Sequence, residues 1–358
     1  MDLIGFWLLA VHQSRTLRDV LLSWDGAWII ATATRGWPHE IVTDASGVVQ
    51  QTTWAWPPLV PLAARWAGEL PGVHLIFSEP TGPIVIGMNL IGGLLAAVLL
   101  FSMLRASVGV SAARSTAVLW AALPATPIFL MGYADGVLVA FVFASLLLMI
   151  RHRYVLAALV LLPAGLTKAS VVPFAVTLII VVVVRRRTCG PAALSTLRAL
   201  AAVGIAVLAS IAWPGYVALR LGSWNAYWHA QSAWSRSGWP FQTSATWLQS
   251  AFTQPGLAIG FSVFVLAIAI VAATVVARDG RYPLAFRVSS VMVPGFLLVV
   301  GTNIGVARMT LPEPAIPAWL RRRFSRPASV IVLGVVLLLL RLAWIALFVS
   351  GSPGDPPP

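Results

Sequence analysis

Charge is what this sequence has least of. Of its 358 residues only 11 are Asp or Glu, and lysine occurs once, at Lys168. Charged residues make up 10% of the chain and hydrophobic ones 59%, with a mean hydropathy of +0.88. A soluble globule carries about 25% charged residues, so the composition excludes that class and points to a polytopic membrane protein. Cysteine is nearly absent too. Cys189 stands alone beside Arg185, Arg186 and Arg187, which excludes an intrachain disulfide framework and fits a reducing, cytosolic face. The five histidines, His12, His39, His74, His152 and His229, show no metal-ligand spacing. No P-loop, no GxGxxG after a strand, no GxSxG and no HExxH is present, so standard nucleotide-binding modules and common hydrolase motifs are not expected.

What the chain has instead is arginine. The net charge is +13, and 23 of the 24 basic residues are Arg. A basic balance of this kind can signal nucleic acid. Here the arginines fall in short clusters between apolar runs, the positive-inside pattern of membrane proteins, so no nucleic-acid partner is expected. Abundant Ala and Val with almost no Lys suggest a GC-rich bacterial genome, an actinobacterial one in this reading.

A membrane span needs about 20 mostly apolar residues. Runs that meet this are 84–104, 115–132, 134–150, 192–219, 256–277, 283–306 and 328–350. The run 154–184 is too long for one upright span and carries Pro163 and Pro173, which predicts two shorter helices hinged near Lys168. Residues 309–320, "MTLPEPAIPAWL", must return across part of the membrane with three prolines and Glu313. Such a segment is tolerated only when buried in protein or lining a cavity. The opening "MDLIGFWLLAV" is short for a span, and a start upstream of Met1 is expected. The fold class expected is all-α: one polytopic transmembrane domain over 1–358, with about 9–11 membrane segments and a disordered tail at 351–358. If Arg105, Arg114, Arg151, Arg153, Arg185, Arg278, Arg281 and Arg321 all face the cytoplasm, the segments 12–83, 133–135 and 220–255 face outward. The pair Gly301 and Gly305 reads as close helix packing.

The two long outward segments hold most of the candidate chemistry. In 12–83, Asp25, Glu40, Asp44, Glu69 and Glu79 lie among Trp24, Trp28, Trp37, Trp54, Trp56 and Trp66. In 220–255, Trp224, Trp228, Trp234, Trp239 and Trp247 interleave with His229, Gln231 and Arg236. Tryptophan anchors membrane interfaces, which accounts for part of this. Flat aromatic faces beside hydrogen-bonding groups also suit a sugar, whose C–H face stacks while its hydroxyls bond. Asp25, half shielded by indoles, can serve as a general base for a hydroxyl nucleophile. It can equally be the N-cap of a helix opening at Gly26 or Ala27. Lys168 and Arg308 lie within or beside apolar runs, where an ionised group is costly and usually functional; snorkelling to the interface is the alternative.

"WDGAWIIATATRGWPHE", followed by "WAWPPLVPLAARW", resembles the WD…E, then P-L-x-P, signature of the PIG-V-type mannosyltransferases. "GYADGVLVAF…GLTKAS" is similar to that family's tyrosine–acid segment and its L-T-[RK] segment. "AYWHAQSAWSRSGWP" is similar to the A-Q-x-x-W-x-R stretch of bacterial members, and "ARMTLPEPAIP" to the late S-R-Y-x-L-P segment. The chain departs from the pattern at Ile29 and Ile30, in the spacing before Glu40, and at Met309, where the family has tyrosine.

The resemblance implies a membrane glycosyltransferase of the GT-C type, multi-pass in the cell membrane and acting on the non-cytoplasmic side. It would transfer a hexose, mannose by family, with inversion, from a polyprenyl-phosphate sugar to a glycan or lipid acceptor. It places catalytic roles on Asp25 and Glu40. Substrate contacts fall on Trp24, Trp28, Tyr133, Asp135, Lys168, Gln231, Trp234, Arg236 and Arg308. Membrane lipids are the surrounding partner, and no cofactor or metal is expected. A secondary transporter or lipid flippase, and a non-catalytic diverged member, remain as rival readings.

Overall fold

The computed structural model describes residues 1–45, 48–233, 249, 257–300 and 306–349. Trp234, Arg236, the Gly301–Gly305 pair and the tail 351–358 lie outside the described residues. Among the described residues the chain is helical, with one isolated bridge between Thr43 and Val49. The first segment folds as α1 (Asp2–His12), α2 (Leu17–Leu21), α3 (Asp25–Arg35), α4 (Leu59–Gly68) and α5 (Val73–Ile76). Then come α6 (Thr81–Val108), α7 (Val110–Ala121), α8 (Asp135–Ile150), α9 (Tyr154–Gly165), α10 (Val172–Ala193), α11 (Thr196–Leu221) and α12 (Ala226–Ser232). The chain closes with α13 (Leu257–Ala277), α14 (Leu284–Val300), α15 (Val306–Met309), α16 (Ala315–Arg323) and α17 (Pro327–Val349).

Five stretches among the described residues are long and apolar enough to cross a membrane: Thr81–Val108, Ala169–Pro191, Thr196–Leu221, Gly260–Arg278 and Pro327–Ala346. Asp2–His12, Asp135–Ile150, Tyr154–Gly165 and Leu284–Val299 are apolar but shorter. Large side chains such as Ile91, Leu94 and Val98 stand exposed along α6, as do Ile331 and Val332 on α17. In water such continuous apolar faces would be a liability; in a bilayer they are the lipid-facing surface.

Two of the expected runs are interrupted, one of them as its prolines predicted. The run 115–132 is not one span. α7 stops at Ala121, and the chain continues through a 3₁₀ turn, Thr126–Leu130, to Asp135. Pro124 and Pro127 explain this, because each lacks an N–H and clashes with the preceding turn. Tyr133 and Asp135, in the short stretch 133–135, are buried at the start of α8. The hinge near Lys168 is present as expected, between α9 and α10. The segment through Leu311, Glu313 and Ala315 is buried in protein, the condition its sequence required.

Irregular backbone at this depth needs partners for its carbonyls. Asn89, fully buried in α6, donates through Nδ2 to the Ile128 and Met131 carbonyls at 2.7 and 2.9 Å, and its Oδ1 accepts from the Gly136 N–H at 2.6 Å. The Gly132 N–H donates to the Leu21 carbonyl at 2.8 Å. Arg341 of α17 reaches across to donate to the Ala121 carbonyl and to Thr126 Oγ1, and forms an ion pair with Asp2 of α1 at 2.7 Å. The re-entrant turn is held by Trp120 Nε1, which donates to the Leu311 carbonyl at 2.9 Å. The buried Glu313 carboxylate accepts from the Ala315 and Ile316 N–H groups that open α16. On the Arg-rich face, Asp279 accepts from Arg281 and Arg322, fastening the α13–α14 turn to α16. The Arg281 hydrogen bond keeps that carboxyl below its ordinary range.

α6 and α8 touch backbone to backbone where Gly92 meets Gly136; a Cβ on Gly136 would fall inside the Asn89 carbonyl oxygen. Gly136→Ala must therefore part the two helices and disturb the Asn89 bonds. We expect a loss of about 1–3 kcal/mol or more from overpacking, read as a lowered unfolding midpoint in detergent. Gly204→Ala, in open space on α11, is the control and should gain up to about 1 kcal/mol of helix propensity.

Candidate functional site

Four breaks in the helical structure meet at one place. The first is the α2–α3 corner. Ser23 to Gly26 form a tight turn closed by the Gly26 N–H on the Ser23 carbonyl at 3.1 Å. Trp24 sits in it at φ 56°, ψ −121°, a region that glycine dominates. An indole there costs on the order of 1–3 kcal/mol, and such strain clusters at functional sites. Its buried Nε1 has no hydrogen-bond partner among the described residues. Asp25 follows as the first residue of α3. Trp24 rather than Asp25 is the N-cap, so the capping role weighed for Asp25 does not hold; its carboxylate faces cations instead.

The second break is the junction before α8, which supplies Tyr133 and Asp135. The third is the α9–α10 hinge, where Lys168 is extended at φ −163°, ψ 143°. The fourth is α15, which carries Arg308. Arg308 Nη1 lies 2.7 Å from Asp25 Oδ2. Lys168 Nζ lies 3.8 Å from the same oxygen and 3.0 Å from Asp135 Oδ1. The Arg308 guanidinium carbon is 5.1 Å from the centroid of the Tyr133 ring, within cation–π range. Two cations and two anions thus interlock beside one aromatic ring. Their side chains retain between 6% and 18% of their exposure, so the cluster is sheltered yet reachable. Both acids also begin helices, where the helix dipole favours negative charge.

Helix lengths give the cluster's depth. α8 has 16 residues and α9 has 12, about 24 and 18 Å at 1.5 Å per residue. Measured from the Arg151–Arg153 turn, Asp135 and Lys168 lie short of the far side of a hydrocarbon layer about 30 Å thick.

The other candidates are distributed around this centre. Trp28 is buried within α3. Gln231 donates through Nε2 to the Ala55 carbonyl at 2.9 Å and to the Tyr227 hydroxyl at 3.0 Å, bracing α12 on the first segment. Burial raises the Tyr227 hydroxyl well above its ordinary pKa, which keeps it neutral in this brace. Glu40 is exposed and is not part of the charge cluster; α3, 11 residues long and about 16 Å in extent, separates it from Asp25. It lines a shallow cleft of about 190 Å³ with His39, Ser223 and His229. Trp37, Trp54, Trp213 and Tyr216 pack at ring-centroid distances of 5.3 to 6.4 Å. Several tryptophans of the wet segments therefore serve packing. Asn89 was not anticipated from the sequence, although one amide within an otherwise apolar span was the signal available.

No protein-family model matches this sequence, and no curated protein matches it, so the PIG-V resemblance rests on the quoted motifs alone. By structure the chain is similar to ArnT from Cupriavidus metallidurans, solved bound to undecaprenyl phosphate. The TM-score is 0.54 at 14% identity, covering 98% of this chain and 73% of ArnT. It is also similar to the Archaeoglobus fulgidus oligosaccharyltransferase solved with Zn and sulfate, with a TM-score of 0.49 at 15% identity; the chain spans 54% of that protein's length. The fold is that of the GT-C membrane glycosyltransferases.

Lys168 is the one ion-pair partner of Asp135 among the described residues, whereas Lys168 also has Asp25. Lys168→Gln should therefore destabilise more than Asp135→Asn, toward the roughly 3–5 kcal/mol seen when a buried pair loses one member. The double variant should recover most of the loss. Thermal unfolding of all four proteins in one detergent measures the coupling.

Proposed function

We propose that this chain is a membrane glycosyltransferase that transfers a hexose, mannose in our reading, from a polyprenyl-phosphate sugar to a lipid or protein glycan acceptor on the outer face of the cell membrane. The observation that carries the proposal is the recessed cluster of Asp25, Arg308, Lys168 and Asp135 at the meeting of four helix breaks. A lipid-linked donor keeps its tail in the bilayer and its phosphate at the depth where this cluster lies. Arg308 and Lys168 are the cations that would bind that phosphate and hold the charge that develops as it leaves. Arginine suits a phosphate through its planar fork, and Lys168 adds a point charge. The PIG-V resemblance and the shared fold with ArnT, a protein solved with undecaprenyl phosphate, support the same donor class.

In this scheme Asp25 accepts the proton of the acceptor hydroxyl. That oxygen attacks the anomeric carbon from the face opposite the phosphate. The bond from the anomeric carbon to the phosphate oxygen breaks, and polyprenyl phosphate leaves with the bonding pair, inverting the centre. The chemistry needs no cofactor, because the phosphate is already a leaving group. The Tyr133 ring lies 5.1 Å from the Arg308 guanidinium carbon and helps to position that cation. Glu40, with His39 and His229, orients an acceptor at the outer cleft rather than at the reacting atoms. The Arg clusters lie on the opposite face, which in this proposal is cytoplasmic.

Asp25→Asn preserves shape and removes the base. Membranes carrying it should transfer label from radiolabelled polyprenyl-phosphate mannose to acceptor at least about 100-fold more slowly than wild type, the low end for a lost general base. Wild-type transfer by that variant removes Asp25 from the catalytic role.

A further inference from the structure

We infer that Asp25 and the donor phosphate compete for Arg308, so that the base is handed free only when the donor is in place. The inference rests on the proposed donor reading and concerns what the cluster does without it. The two cations are already engaged: Arg308 with Asp25 at 2.7 Å, and Lys168 with Asp135 at 3.0 Å and Asp25 at 3.8 Å. Charge in the cluster sums to zero from two acids and two bases, so an arriving phosphate finds no idle cation there. It must take one. Arg308 is the cation that governs the base, because it makes the closer contact with Asp25, 2.7 Å against 3.8 Å for Lys168, and its planar fork suits a phosphate. Once the guanidinium turns to the phosphate, Asp25 keeps only the longer Lys168 contact, and its carboxylate is open to an acceptor hydroxyl. Until then the ion pair holds the carboxylate closed, which protects a sheltered base from acting on water. Asp25 therefore carries two opposed roles: it is needed for transfer, and it weakens donor binding.

The test is binding of undecaprenyl phosphate to purified protein in detergent, at one fixed salt concentration. Wild type, Asp25→Asn, Asp25→Ala and Glu69→Gln are compared. Glu69 lies on the same outer segment, paired with Arg65 away from the cluster, and controls for net charge. The competition predicts that both Asp25 variants bind the lipid roughly tenfold more tightly than wild type, as a freed charge pair is worth on the order of 1.4 kcal/mol or more. Glu69→Gln should bind as wild type does. Elution as a single monodisperse species shows that each variant is folded, and Asp25→Ala serves if Asp25→Asn is not. Equal or weaker binding by the Asp25 variants overturns the inference, as does equal tightening by Glu69→Gln. No binding by folded wild type overturns the donor reading itself.

A separate observation concerns the loop between α4 and α6. Its ends touch, because Gly68 packs against Pro80. Its tip is apolar: Leu70, Leu75 and Ile76 are exposed at 58%, 91% and 76%. Charge sits at the base instead, in the exposed pairs Arg18–Glu79 and Arg65–Glu69. A water-facing loop would carry the reverse pattern. We propose that this tip inserts into the outer leaflet of the bilayer. The occupant is argued from continuity: the loop leads within a few residues into α6, whose exposed face already meets lipid, and exposed Trp66 stands at its base as an interfacial anchor. Leu75→Cys and Val48→Cys, each in a Cys189→Ser background, are labelled with a polarity-sensitive dye and reconstituted into phosphatidylcholine vesicles. The probe at 75 should be blue-shifted and quenched by a shallow nitroxide lipid, while the probe at 48 should stay water-like. Water-like emission at both positions overturns the insertion. So does shielding at 75 that depends on protein density rather than on lipid quencher, which would place a second copy there.

Discussion

An ionised group beneath the membrane surface has to be answered by another, and the architecture around Asp25 follows from that one constraint. Taking a charge out of water costs several kcal/mol even after relaxation. Asp25, Asp135, Lys168 and Arg308 can persist in their recess only because each lies within 4 Å of an opposite charge. The requirement fits the meeting of three chain breaks and the short helix α15 at one place. A continuous helix projects side chains sideways from a regular ladder, whereas a break presents a helix N-terminus or an extended residue pointing into the protein. Asp25 and Asp135 come from the first kind and Lys168 from the second.

The interruptions then create their own debt of backbone hydrogen bonds. In water such groups would be solvated; here protein must satisfy them. Asn89, Trp120, Glu313 and Arg341 each pair with buried or half-buried backbone near a break. Among the described residues none of them is hydrogen-bonded to a side chain of the charge cluster, yet Asn89 holds the Gly136 N–H beside Asp135. The strained turn at Trp24 belongs to the same logic, since it is held by the Leu21–Gly132 bond on one side and the start of α3 on the other.

Much of this was readable beforehand, and the reason is physical. Hydropathy reports depth, so the spans, the Lys168 hinge and the burial of the 309–320 return came from composition and proline placement alone. Charge scarcity did part of the rest: with 11 acids in 358 residues, Asp25, Lys168 and Arg308 stood out beside apolar runs, while Asp135 was singled out by the family resemblance. What was not legible was pairing. Sequence could not say that Asp25 would face Arg308, 283 residues away, or that Glu40 would stand apart from it. It also read 115–132 as a span, because hydropathy does not distinguish a helix from a buried, proline-broken strand of chain. The tryptophans misled in part, since an indole that packs on other indoles and one that waits for a ligand look alike in sequence.

The ion pair between Asp2 and Arg341 has a meaning for biogenesis. Its partners are 339 residues apart, and at roughly 5–20 residues per second of synthesis the first helix waits on the order of tens of seconds for its counter-charge. During that time Asp2 must stay near the interface or find a temporary partner. α17 then enters the bilayer carrying an arginine whose insertion costs about 2.5–3.5 kcal/mol at mid-depth. Docking of α17 onto α1 offsets that cost: until the two helices meet, each carries a charge in lipid that lacks this partner.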